Sequence, residues 1–311
     1  MKLTMFKRWM SILTGTTVVA VEQKIGKVYS LTEIKGFYND FTNKITDALA
    51  CDSNGVPVTD IGAKDAVYFP IDVFQYGLGF YDLYLQGVNK EDSYSHFIAI
   101  SEWAYFMQRE DGAWDSFGPI GSQKYSVSSM GQGEGCALLL RAAIETGEKK
   151  YPDAAKRAID FMLIPTENGG TTYYKDGMVI LEEYAHEEHY IVLNGWIFSL
   201  FGLYDYVKFS GDERYKAVLN QTIESMVKMM PNFDRGYWSN YDKKGRIASP
   251  NYHKLHLGLL EAMEQISGNS TFNEYMKKWK KYQDSKVCRS RAILTKIFQK
   301  LFEKTDAVVI K

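Results

Sequence analysis

Four stretches of this chain, aligned on their glycines, repeat one design, and no other feature restricts its fold as strongly. They are Gln75–Gly87 (QYGLGFYDLYLQG), Met130–Gly147 (MGQGEGCALLLRAAIETG), Leu193–Gly211 (LNGWIFSLFGLYDYVKFSG) and His253–Gly268 (HKLHLGLLEAMEQISG). Each opens in small or polar residues, continues apolar and closes on glycine, the pattern of a helix with a glycine stop. Three of them run through a turn into a second amphipathic stretch: Tyr151–Met162, Tyr215–Met230 and Phe272–Tyr282. A recurrence of roughly 60 residues is that of helical hairpins, which bury their apolar faces only by stacking on their neighbours. The expected fold is therefore all-α, an (α/α) toroid of inner and outer helices, with an ordinary helical bundle as the alternative.

The helical periodicity begins at Val67 and period-two runs are few. Before it, residues 1–66 read as a lead-in that packs on the main domain, with Gly36–Ile45 irregular and Cys51–Asp65 rich in turn residues. Residues 67–285 form the toroid. Residues 286–311 form a basic amphipathic tail, in which Ile293, Leu294, Ile297, Phe298, Leu301 and Phe302 make one stripe flanked by Arg289, Arg291, Lys296, Lys300 and Lys304. Such a helix can lie on an anionic membrane surface, dock on a partner protein or pack on its own domain.

Composition narrows the functional classes. With 45% hydrophobic residues in 311, the chain can bury a sizeable core, and a net charge of −1 argues against nucleic acid as a partner. Tyrosine, phenylalanine and tryptophan number 22, 17 and 6, enough rings for both helix interfaces and a sugar-binding cleft. Cys51, Cys136 and Cys288 are too scattered for a disulfide framework or a zinc site, consistent with a reducing cytoplasm. Lys2, Lys7 and Arg8 followed by Trp9–Val21 superficially resemble a signal peptide, but Ser11, Thr14, Thr16 and Thr17 dilute the apolar run and no small-x-small cleavage site follows. No run reaches the roughly 18 apolar residues of a membrane span. A cytoplasmic location is expected.

No GxGxxG fingerprint, P-loop, GxSxG elbow or HExxH motif is present, so nucleotide cofactors and zinc are not expected. Chemistry instead concentrates in the second half. Glu182, Glu183, Tyr184, His186, Glu187, Glu188 and His189 crowd one segment; Tyr237–Asp242 follows Asn232–Gly236 in a loop ending at Arg246; and Asn251-Tyr252-His253 is followed by His256. All three clusters fall at the starts of hairpins, hence at one mouth of the expected ring. A phenol, with a pKa of about 10, is protonated at neutral pH and becomes an acid/base group when neighbours stabilise its phenolate or when a carbanion must be reprotonated. Two phenols across a sugar ring suit removal and redelivery of a hydrogen beside a carboxylate. The enolate-like dianion so formed needs neutralisation, for which Arg246, Lys254, His253, His256 or a protonated Glu183 are candidates.

At these residues the chain resembles the C-terminal domain of the D-glucuronyl C5-epimerases. The resemblance runs through YFPIDVFQYGLGFYD (Tyr68–Asp82), YSVSSMGQGEGCALLLRA (Tyr125–Ala142), EEYAHEEHYIVLNGWIFSLFGLYD (Glu182–Asp205), SNYDKKGRIASPNYHKLHLGLLEAM (Ser239–Met263) and MKKWKKY (Met276–Tyr282). It implies an (α/α) toroid and a metal-free, cofactor-free epimerisation at C5 of glucuronate within a heparosan-type acidic polysaccharide, and no particular oligomeric state. The family's three active-site tyrosines fall on Tyr184, Tyr241 and Tyr252 and its adjacent glutamate on Glu183. Asn194 and Gln132, inside the matching motifs, join Arg246, Lys254, His253 and His256 as expected substrate contacts. The family's usual proline after EEY is Ala185 here, followed by a rewritten His186-Glu187-Glu188-His189. Two other enzymes fit the same residues: a lyase proceeding through the same C5 carbanion, and a glycoside hydrolase pairing Glu183 with Asp242 or Asp234. A non-catalytic binder of acidic polysaccharide is the alternative outside catalysis.

Overall fold

The computed structural model describes residues 22–46, 49–59, 66–122, 125–185 and 188–302. His186, Glu187, the basic segment before Trp9 and the end of the tail beyond Phe302 lie outside them. Among the described residues, nine α-helices and one two-stranded sheet occur, which establishes the expected all-α class. The helices form consecutive hairpins: α1 (Pro70–Gln86) with α2 (Lys90–Met107), α3 (Ser129–Thr146) with α4 (Lys150–Met162), α5 (Leu193–Ser210) with α6 (Glu213–Met229), and α7 (Pro250–Ser267) with α8 (Ser270–Asp284). A final helix, α9 (Lys286–Phe302), follows α8 and packs on it.

The first member of each hairpin packs on the first member of the next, so α1, α3, α5 and α7 form an inner row and α2, α4, α6 and α8 an outer one. Sequence explains the division. Helices α3 and α5 are buried over most of their surface, whereas α4, α6 and α8 carry one apolar stripe against the inner row and charged residues outside. Each inner helix ends on a left-handed glycine: Gly87, Gly147, Gly211 and Gly268. The tightest approach is that of α3 to α5. A Cβ on Gly202 would stand 2.1 Å from the Gly133 carbonyl oxygen, so the backbones touch where a side chain would hold them apart.

Residues 22–45 occupy the space between the two ends of the inner row. The Lys24–Ile25 backbone lies against Gly258 of α7 and the Phe41 carbonyl against Gly79 of α1. Phe37, Tyr38 and Phe41 are fully buried in the same core as the helices, stacking on Phe198 and Phe201 of α5. A buried ion pair fixes this segment: Arg141 of α3 donates to Asp205 of α5 at 2.6 Å and to the Gly36 carbonyl, while the Tyr38 hydroxyl donates to the other Asp205 oxygen at 2.5 Å.

Between α4 and α5 lies a hairpin of β1 (Thr172–Lys175) and β2 (Met178–Leu181), antiparallel with Thr172 opposite Leu181. Its two-residue turn, Asp176-Gly177, has positive φ at both positions (50° and 73°), the type I′ geometry that Asp-Gly favours. The hairpin packs on α6 and delivers the chain directly into Glu182–Tyr184. At the other ends of α1, α3 and α5 a cleft of about 660 Å³, bordered by Tyr81, Tyr84, Ile144 and Phe209, contains no part of the cluster described next.

Candidate functional site

Three segments converge at the N-terminal ends of α5 and α7. The first follows β2. Glu182 is fixed by its backbone: its N–H donates to the Thr171 carbonyl at 2.8 Å, and its carbonyl accepts from the Ser129 N–H at 3.0 Å. Glu183, next in the chain, packs its side chain against Gly195 in the first turn of α5, where a Cβ would stand 2.3 Å from Glu183 Oε2. Tyr184 then lies on Phe117 and Tyr125, with ring centroids 5.1 and 5.0 Å away.

The second segment is the loop between α6 and α7. It is tied to the start of α5 by Leu193 N–H to Tyr241 O (3.1 Å) and by the Val192–Asp242 bridge, and it is closed on itself by Tyr241 N–H to Arg246 O (2.6 Å). Tyr241 is thereby carried to Tyr184. The third segment is the first turn of α7, where Ser249 caps the helix by accepting from the Tyr252 N–H. Tyr252 stands edge-on to Tyr241, centroids 5.0 Å apart. It is 41% exposed and marks the solvent side of the cluster.

These residues form one electrostatic unit. Tyr184 is close enough to the Glu183 carboxyl and to Tyr241 for each to act on the other's protonation. Burial raises Glu183 from an ordinary 4.5 to about 7, although Tyr184 and the charge of Arg246 pull the other way. Glu183 Oε2 is buried and accepts no hydrogen bond. Burial likewise raises Tyr184 and Tyr241 well above the ordinary phenol, and the Glu183 charge adds to it. These phenols are protonated at neutral pH, and the Glu183 carboxyl titrates in the neutral range.

Glu182 turns away from the phenols. It accepts from the Ile191 N–H at 3.3 Å and lies 3.2 Å from His189, whose ring stacks on Tyr173, and burial raises it to about 8. His189 and Ile191 both have positive φ (45° and 48°). A β-branched residue rarely adopts that conformation, and local strain here is of order 1–3 kcal/mol.

The remaining expected site residues separate into two groups. Arg246 belongs to the cluster: its Nε donates to Asp242, its guanidinium lies over the rings of Tyr190 (5.0 Å) and Tyr241 (5.6 Å), and its charge reaches Glu183. His253, His256, Gln132 and Lys254 do not join it. His253 and His256 are sealed in the interior. His253 Nδ1 accepts from the Ser239 N–H (3.2 Å) and hydroxyl (2.8 Å), so its Nε2–H is assigned to the Trp279 carbonyl (3.1 Å); His256 Nδ1 is then the donor to Ser239 Oγ (3.0 Å). Burial lowers them to about 4 and about 3, so both are neutral braces between the loop and α7–α8. Gln132 is buried and spends its amide on Trp114 N, Gly112 O and Ala158 O. Asn194, by contrast, is buried in the first turn of α5 beside Gly195, on which Glu183 packs, and its Oδ1 has no hydrogen-bond partner. Lys254 is exposed and pairs with Glu22 at 3.6 Å. Of the acids a hydrolase would pair with Glu183, Asp242 is held by Arg246 and Asp234 by Lys278 and Trp279.

Sequence reasoning passed over a second polar wall beside the cluster. Lys44, from the N-terminal segment, donates to Asp72 (2.7 Å) and Gln75 (2.6 Å) on α1, and Gln75 donates to Glu134 on α3 (3.0 Å). Glu134 is completely buried, its Oε2 lacks a partner, and burial raises it well above the carboxylate range, with Glu183 among the charges acting on it. The Asp72 charge acts in turn on Tyr252. A readable signal did exist: Glu134 is an acid placed between two glycines within an otherwise small and apolar helix. Among the described residues, no three His, Cys, Asp or Glu side chains assemble into a group able to hold a metal ion.

Comparison with known proteins meets this geometry from another direction. The sequence profile described as "D-glucuronyl C5-epimerase C-terminus" matches residues 108–281, which contain all three tyrosines and Glu183. The chain is 26% identical over 217 residues to the D-glucuronyl C5-epimerase of Caenorhabditis elegans, covering 61% of this chain and 35% of that protein. It is 29% identical over 151 residues to an uncharacterized protein of Methanocaldococcus jannaschii, covering 47% of this chain and 49% of that one. The matches thus span about a third and about half of these relatives' lengths.

Proposed function

Because the chain belongs to the D-glucuronyl C5-epimerase family, matching its C-terminal domain over more than half its length, we propose that it inverts C5 of D-glucuronyl residues to L-iduronyl within an acidic, heparosan-type polysaccharide. The observation that carries this reading is the convergence of Glu183, Tyr184 and Tyr241 into one electrostatically linked group, with Tyr252 edge-on to Tyr241.

The chemistry follows from protonation states. A C5 hydrogen beside a carboxylate leaves only if a base takes the proton and the dianionic enolate is stabilised. Ionised Glu183 supplies the base through Tyr184: as Tyr184 accepts the C5 proton, its own proton passes to Glu183. The bonding pair of the C5–H bond moves into the enolate, beside the Arg246 guanidinium. Tyr252, still protonated, delivers its proton to the opposite face of C5. One proton now rests on Glu183 and one is missing from Tyr252; Tyr252, 41% exposed, regains its proton from solvent and Glu183 releases its own, which restores the starting state. Every proton is accounted for by these residues and solvent. The aromatic faces of Tyr125, Phe117 and Tyr190 around the phenols suit a sugar ring.

Incubation with heparosan in D₂O tests the reading. Deuterium at C5 together with iduronate signals supports it. Ultraviolet-absorbing 4,5-unsaturated ends would instead mean that the same carbanion eliminates at C4, and new reducing ends would indicate hydrolysis.

A further inference from the structure

Helix α9 has two unlike faces, and each has a distinct task. Its inner face holds the loop that carries Tyr241 and Arg246. Thr295 meets the Tyr237 hydroxyl at 2.9 Å, Gln299 accepts from the Ile247 N–H (2.9 Å) and donates to the Gly245 carbonyl (2.9 Å), and Lys296 donates to the Ile247 carbonyl (2.6 Å). Arg291 lies 4.0 Å over the Tyr237 ring and Ala292 is buried beneath. The outer face is the reverse: Val287, Leu294, Phe298, Leu301 and Phe302 are each between 64 and 78% exposed. At 3.6 residues per turn these positions return to one side of the helix, a continuous apolar stripe. An exposed stripe of this kind on a helix already anchored by its other face calls for an occupant.

Charge selects it. The 17 residues of α9 include Lys286, Arg289, Arg291, Lys296 and Lys300 and no Asp or Glu. Arg291 and Lys296 also serve the inner face, and with no acid to offset the five cations the helix suits an anionic surface better than a second copy of the same cationic helix. Stripe and charges together are those of a helix that lies in the plane of a lipid interface, its leucines and phenylalanines among the acyl chains and its long basic side chains reaching anionic headgroups. None of the described helices is long and apolar enough to cross a membrane. We propose that α9 seats the protein on an anionic membrane surface, with its inner face holding the catalytic loop at a fixed distance from that surface. This inference stands on α9 alone and does not depend on which reaction the cluster performs.

The test is co-sedimentation of the full chain with phosphatidylcholine vesicles containing or lacking phosphatidylglycerol, at low and high salt. Binding should require the anionic lipid and fall as salt rises, since each basic residue at such a surface is worth roughly fivefold in affinity. The variant Leu294→Ser/Phe298→Ser should bind at least about tenfold more weakly, with unchanged far-ultraviolet circular dichroism and unchanged turnover of soluble polymer. Arg289→Glu serves as a second variant, altering charge without touching the stripe. Three results would overturn the proposal: no sedimentation with anionic vesicles, full binding by both variants, or a concentration-dependent wild-type dimer that the double serine variant abolishes.

Discussion

Glu183→Gln should make the protein more stable and inactive at once, with a stability gain that grows above about pH 4.5 and is complete by about pH 7. The carboxyl is 5% exposed and its pKa moves from 4.5 to about 7 on folding. Below the unfolded value both states hold the proton and the site is neutral. As pH rises through 4.5 the unfolded chain releases it while the folded chain keeps it, so folding loses ground until about pH 7, where the folded carboxyl ionises as well. That displacement corresponds to about 3 kcal/mol. Glutamine has the shape of the neutral acid and can still accept from Tyr184, so it escapes this cost. Urea unfolding at pH 5 and pH 9 measures the difference: a variant more stable by under about 1 kcal/mol at the lower pH and by about 3 kcal/mol at the higher one. C5 hydrogen exchange should meanwhile drop by about 10²–10⁴-fold, the usual value of a positioned base. In the wild type, kcat/KM should fall about tenfold per pH unit below 7. A glutamine variant that loses stability equally at both pH values, or exchanges C5 hydrogen at the wild-type rate, would refute the assignment of Glu183 as a buried base.

Other consequences are checkable in the same way. Gly195→Ala places a methyl 2.5 Å from Glu183 Cβ and should cost about 1–3 kcal/mol while reducing exchange at least tenfold, because Glu183 must move; thermal melts and exchange rates decide it. Arg141→Met leaves buried Asp205 with only the longer pair to Lys208 (3.3 Å) and should cost about 3 kcal/mol, whereas Arg141→Met/Asp205→Leu should recover much of that loss in denaturant titration. His253 and His256 are neutral when folded and have pKa values lowered by burial, so the unfolded chain gains protons first as pH falls below 6.5. Each should therefore contribute about 2–3 kcal/mol of acid destabilisation by about pH 4.5. His256→Gln should show a smaller drop in urea midpoint between pH 7 and about pH 4.5 than the wild type, and an equal drop would contradict neutral burial.

The helical hairpins were legible because their glycines carry two physical signals, the stop at Gly87, Gly147, Gly211 and Gly268 and the close approach at Gly133 and Gly202. The chemistry was legible in part. Tyr184, Tyr241, Tyr252, Glu183 and Arg246 are concentrated by the chain itself into three polar clusters, and the structure brings those clusters together. The histidines show the limit of such reading. A titratable residue in a first helical turn looks the same in sequence whether it faces a cleft or, like His253 and His256, braces a loop from within; only the Ser239 and Trp279 contacts decide. Lys44 was hidden for a different reason, since a lysine in an irregular segment finds its partners Asp72 and Gln75 on α1 only after folding. The β-hairpin carried its Asp176-Gly177 turn in plain view, but four-residue strands are too short to show alternation.

The central claim is that Tyr184 and Tyr252 serve opposite faces of one carbanion, and exchange without inversion tests it most directly. Tyr184→Phe and Tyr252→Phe would each be supplied in D₂O with glucuronyl polymer and, separately, with iduronyl-containing polymer, and C5 followed by NMR. The account predicts that each variant incorporates deuterium into only one of the two epimers, with configuration retained, that the two variants choose opposite epimers, and that neither inverts. Inversion by either variant at the wild-type rate would contradict it.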